Sequence, residues 1–141
     1  MQLAHRPYGP GASPEEREAI ASRVSVVGDR VLLLHEISVQ TPFSVDLMCD
    51  RFEALARDWD RFAYVLDLTE AERPTAEARA TLKNRVSHFS SRVALMAAVV
   101  GNNLLMRAMV RLVAYGMGLK HVSLHANRVE AIEEARRALG R

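Results

Sequence analysis

With 141 residues, 49% of them hydrophobic and 26% charged, the chain has the size and composition of one globular domain with a real core, which excludes wholesale disorder. The formal charge is +2, and Arg and Lys mix with Asp and Glu along most helices, so the concentrated basic surface of a nucleic-acid binder is not expected. Cys49 is the one cysteine, which rules out an internal disulfide and a cysteine-based zinc site. No apolar run approaches the ~20 residues of a membrane-spanning helix, and Met1 to Pro7 lack the apolar core of a secretory signal, which points to a cytoplasmic protein.

Residues 1–21 read as an irregular lead-in punctuated by Pro7, Gly9, Pro10, Gly11 and Pro14, although Ser13 before Pro14-Glu15-Glu16-Arg17 can open a helical turn. The folded domain is expected over 22–141. Val24, Val26 and Val27, then Gly28-Asp29, then Val31 to Leu34 and on to Ile37 spell a β-hairpin. Thr41-Pro42 supplies an N-cap and a proline at the first helical position. Val45, Met48, Phe52, Leu55, Ala56 and Trp59 then recur at helical spacing and form one apolar face. Asp46, Asp50 and Glu53 fall on what reads as a solvated face, and Cys49 sits among these acids, which would raise its pKa.

Phe62 to Leu66 is a continuous apolar run, as in a buried central strand, and ends in Asp67-Leu68-Thr69. A polar loop leads to a second helix from about Thr75, with Ala78, Leu82, Val86 and Phe89 facing inward. Val93 to Val100 is the next buried strand, which Gly101-Asn102-Asn103 breaks before a third helix running through Tyr115. Gly116 and Gly118 can supply left-handed residues that stop it. His121 to His125 alternates as a last short strand, and Asn127 with Glu130 resembles a capping box for a terminal helix whose stripe is Ile132, Ala135 and Leu139. The predicted fold is a single α/β domain, β-β-α-β-α-β-α-β-α, with a mostly parallel sheet, an antiparallel N-terminal edge hairpin and helices packed on it.

Tyr64-Val65-Leu66-Asp67-Leu68-Thr69 and Val93-Ala94-Leu95-Met96-Ala97-Ala98-Val99-Val100-Gly101-Asn102-Asn103-Leu104 give the chain its resemblance to the STAS/SpoIIAA-like superfamily. The second run is similar to the strand-to-helix join of the SpoIIAA-like branch related to SEC14-type lipid-binding folds. The resemblance implies a non-catalytic signalling or regulatory module that binds a partner protein, or alternatively a small-ligand or lipid carrier with its pocket at the strand carboxyl ends. Regulatory members of the family carry an Asp-Ser-Ser-Gly-like segment whose serine is phosphorylated. Here the segment is Glu72-Arg73-Pro74-Thr75-Ala76, so Thr75 alone offers a hydroxyl and the flanking Asp, Ser and Gly are missing.

Parallel α/β sheets place functional loops at the strand carboxyl ends, where Asp67, Thr69, Asn102 and Asn103 should converge. The helix start at Asn103, with Arg107 one turn along, can hold an anion through free N–H groups, or the asparagines simply cap. No nucleophile elbow, Walker or dinucleotide fingerprint, or His-Glu-x-x-His pattern is present, so no enzyme site, cofactor or metal is expected. On the helix from Asn103 to Met117, Leu105, Met109, Leu112, Val113 and Gly116 are expected to meet the sheet. Met106, Val110 and Met117, rimmed by Arg107 and Arg111, are then expected to form a partner or homodimer surface.

Overall fold

A computed structural model describes residues 1–140. Val24–Gly28 (β1) and Val31–His35 (β2) form the antiparallel hairpin, and Phe62–Asp67 (β3), Val93–Val99 (β4) and Val122–His125 (β5) extend it as parallel strands. The helices are Pro14–Ala21 (α1), Pro42–Leu55 (α2), Ala76–Ser87 (α3), Leu104–Gly116 (α4) and Arg128–Leu139 (α5). This is the expected α/β topology. The turn lies one residue beyond Gly-Asp: Gly28 pairs with Val31, leaving Asp29 and Arg30 as a two-residue loop in which Arg30 takes a φ of 57°. Two-residue hairpin loops require such positive φ.

The strands lie side by side in chain order, β1-β2-β3-β4-β5. Right-handed crossovers that always step in the same direction must put their helices on the same face. Accordingly α2, α3 and α4 share one face with Leu32, Leu34, Phe62, Tyr64, Met96 and Ala98 beneath them. The other face, Val31, Leu33, Ala63, Val65, Leu95, Ala97 and Val99, is left to α5. Both faces are covered, so Val65, Ala97 and Val99 are buried as expected, whereas Leu66 is only half-buried.

Four expectations are corrected. Residues 14–21 are helical rather than irregular: Ser13 Oγ accepts from Glu16 N at 3.1 Å while the Glu16 carboxylate accepts from Ser13 N at 2.9 Å, a complete capping box. Tyr8 and Ile20 are buried in the core, and the Tyr8 carbonyl accepts from Thr41 Oγ1 at 2.7 Å, which pins the lead-in over α2. Asp46, Asp50 and Glu53 do not form an idle face. They converge on Arg85 of α3 at 2.9, 2.7 and 2.6 Å and clamp α3 to α2. On α5 the buried stripe is Ala131, Ala135 and Ala138, with Ile132 and Leu139 at its margins, because this helix lies close on strands of small residues.

The fourth correction concerns α4. Val110, Ala114 and Met117 are buried and Met106 packs against the same core, so the expected partner surface is interior. Leu105 and Leu112, expected against the sheet, are 81% and 76% exposed, alongside Leu104 and Tyr115. Helical spacing grouped the residues correctly, but a helix apolar on two arcs does not say which arc its neighbours cover.

Candidate functional site

The strand carboxyl ends do converge. Glu36 N donates to Asp67 O at 3.0 Å, Leu68 N to Val99 O at 3.0 Å and Val100 N to His125 O at 3.1 Å. The candidate residues there split into two groups. Asp67 is buried and its carboxylate is fully engaged: one oxygen accepts from Thr69 N at 2.9 Å and Thr69 Oγ1 at 2.7 Å, the other from Arg128 Nε and Nη2 at 3.0 and 2.7 Å. Burial works against this carboxylate, but the Thr69 and Arg128 hydrogen bonds outweigh it and hold its pKa below the ordinary value. Beside it His35 sits between Arg23 and Glu70. Arginine can only donate, so His35 Nδ1 accepts from Arg23 at 3.1 Å and Nε2–H donates to Glu70 at 2.7 Å. Burial and then Arg23 lower the His35 pKa, so the ring is neutral. Every charge in this cluster is answered by another, which makes it a closure of the sheet end.

Asn102 and Asn103 stand apart and exposed at the β4–α4 join, and Asn103 Oδ1 caps α4 by accepting from Met106 N at 3.0 Å. Arg107 is half-buried, its Nε enclosed without a hydrogen-bond partner. Thr75 is an exposed N-cap whose Oγ1 accepts from Ala78 N at 3.2 Å. Cys49 is buried, and burial first, with Glu53 and Glu36 adding to it, pushes its thiol up to about 12, so it is not a nucleophile at neutral pH.

The sheet does not reverse its strand order among β2 to β5, so no crevice opens at a topological switch point. The opening is instead between the helices and the sheet. α2 and α3 pack against each other, whereas α4 packs closest to β5, and a cavity of about 80 Å³ remains between α3 and α4. Its floor is Leu34, Tyr64, Leu66 and Met96; Leu82, Val86 and Phe89 form one wall; Met106, Met109, Val110 and Val113 form the roof. The half-exposure of Leu66 in a central strand is explained by this cavity.

Three polar side chains enter the apolar lining. Glu36 follows β2 on the same face as Leu32 and Leu34, Gln40 precedes the α2 cap, and Tyr64 is in β3. Each is more than nine-tenths buried. One Glu36 oxygen accepts from Ile37 N at 3.1 Å, and the other makes no hydrogen bond within the protein. Neither the Gln40 amide nor the Tyr64 hydroxyl has a partner among the described residues. Burial raises the Glu36 pKa to about 7 and raises that of Tyr64 well above the ordinary phenol range. Buried polar groups in native proteins are normally paired, so three unpaired ones around a cavity mark it as a place where something else supplies the partners.

Sequence reasoning missed this trio because nothing local distinguishes Glu36 from a surface acid. One signal was available: a glutamate directly continuing a strand whose alternate residues all face the core. A second missed feature is charge segregation. No Asp or Glu occurs between Glu77 and Glu130, a span containing Lys83, Arg107, Arg111 and Lys120 among its cations.

Comparison with known proteins adds the fold alone. No family model matches the chain, and no curated protein matches it. The NMR structure of the protein TM1081 is similar at a TM-score of 0.56 and 18% identity, over 97% of this chain and 95% of that one. No helix among the described residues is long and apolar enough to cross a membrane.

Proposed function

We propose that this chain is a non-catalytic binding domain that holds a small apolar ligand in the cavity beneath α4. The supporting observation is the pairing of an apolar lining with the unpartnered Glu36, Gln40 and Tyr64 side chains. Ligand sites of this kind are mostly apolar with a few convergent polar groups. The size, about 80 Å³, suits a short chain or small ring; engineered apolar cavities of ~150 Å³ bind benzene. The roof can yield further. Met106 and Met109 are unbranched and adaptable, and among the described residues no side-chain hydrogen bond or ion pair ties α4 to another element, whereas Arg51–Glu18, Arg85 and Arg128–Asp67 tie the other helices. The family resemblance to lipid-binding relatives favours the same reading, with the pocket moved from the strand ends to the helix layer.

The test is an NMR titration of the protein with small apolar alcohols. Shifts should concentrate at Leu66, Met96 and Val110, and Val113→Phe, which fills the cavity, should abolish them while the protein stays folded. Shifts spread over the surface and indifferent to Val113→Phe would sink the proposal.

A regulatory role through a partner protein is favoured by a different observation. Leu104, Leu105, Leu112 and Tyr115 form an exposed apolar strip along α4 with Arg111 at its edge, and such strips mark interaction sites. Leu105→Asp with Leu112→Asp should then abolish association in pull-down and sedimentation experiments without lowering the melting temperature.

A further inference from the structure

The cavity wall carries two carboxyl groups, Glu36 inside and Glu72 at the rim, and no Arg, Lys or His. Glu72 is exposed and meets His5 Nε2 at 2.9 Å. Glu36 is enclosed, with one oxygen free. Cys49 lies within electrostatic range of both Glu36 and Tyr64, so these two polar groups share one region of the cavity.

We propose that this polar region is a binding site for the ammonium head of a small apolar amine, a step that rests on the reading of the cavity as a ligand site. An ammonium group brings three N–H donors and no acceptor. The free Glu36 oxygen, the Gln40 amide oxygen and the Tyr64 hydroxyl oxygen supply three acceptors that lack protein partners. The Phe52 and Tyr64 rings, 5.0 Å apart between centroids and both lining the cavity, add aromatic faces that attract a cation. A carboxylate or phosphate head would meet a carboxyl group with no cation to balance it, which excludes anionic amphiphiles. A neutral alcohol can hydrogen-bond here but leaves the ionised form of Glu36 buried without a counter-charge. The ligand's apolar body then lies along Leu66, Met96 and Val110, where the space available admits a few carbons and not a long acyl chain.

Matched ligands separate the head group from the cavity. The full chain is titrated by NMR with n-butylamine, n-butanol and butyrate, and the titration is repeated with Glu36→Gln. Butylamine should bind about tenfold more tightly than butanol and butyrate not at all; Glu36→Gln should lose about tenfold for the amine while butanol is unchanged. Butanol binding as well as butylamine, or undiminished amine binding by Glu36→Gln, overturns the amine site and leaves the cavity a ligand site. No shift with any of the three overturns the cavity reading as well. If Glu36→Gln does not fold, Tyr64→Phe provides the comparison, with a selective loss of amine affinity expected and an unchanged amine-to-alcohol ratio counting against the site.

Discussion

The two faces of the sheet are built on opposite plans. Beneath α5 the protein uses small residues: Ala131, Ala135 and Ala138 sit on Ala63, Val65, Ala97 and Val99, and the helix is fastened by Arg128 to Asp67 and by Arg136 to the Val27 carbonyl at 2.9 Å. Small, stiff side chains let the backbones approach and fill the space completely. Under α2, α3 and α4 the side chains are large. Phe52, Phe62, Tyr64 and Phe89 pack edge-on and stacked within 4.8 to 6.1 Å of one another and fill the α2 end. Toward α4 the filling gives out, methionines replace aromatics, and no polar tie crosses. One face is closed by its smallest residues and the other is left open by its largest, so the open face is where a ligand can enter at least cost.

The same substitution on both faces is the sharpest test of that contrast. Ala135→Leu should force atoms into a filled space and cost about 3 kcal/mol of stability. Ala114→Leu, whose new atoms enter the cavity, should cost less than about 1 kcal/mol. Urea denaturation measures both, and equal costs would show that the two faces are packed alike.

A smaller effect comes from Glu36, the unpaired acid of the open face. Its pKa is raised from 4.5 to about 7 in the folded protein, so the native state holds the proton more tightly than the unfolded chain does. Its contribution to stability is therefore complete below about pH 4.5 and is lost progressively as pH rises through about 7. Glu36→Gln cannot lose it. The stability of Glu36→Gln relative to the wild type should rise by an amount on the order of 2 kcal/mol between pH 5 and pH 8. Parallel pH profiles would mean that the carboxyl group is paired or solvated after all. Least of all, Thr75→Ala should remove the cap of α3, a wall of the cavity, and cost about 1 kcal/mol in thermal melting. Stoichiometric phosphate on Thr75 in intact-mass analysis of native protein would add a regulatory role to that cap.

What could be read from the sequence was what local chemistry decides. The strands appear where apolar runs are continuous, and Thr41, Thr75, Asn103 and Asn127 each accept the N–H that a cap should. Gly118, with φ +85°, stops α4 as a left-handed glycine. These choices depend on a few neighbouring residues and the 2- and 3.6-residue periods, both of which are written in the chain. The tertiary structure alone decided which apolar arc of α4 faces inward, because that follows from the crossover direction and from what lies beneath. It also decided that Asp67 belongs to Arg128, 61 residues away, and that Asp46, Asp50 and Glu53 belong to Arg85. The cavity is of the same kind. It is the space left where helices fixed by their own strands do not meet, and Glu36, Gln40 and Tyr64 become a site because that space leaves their polar atoms unpaired.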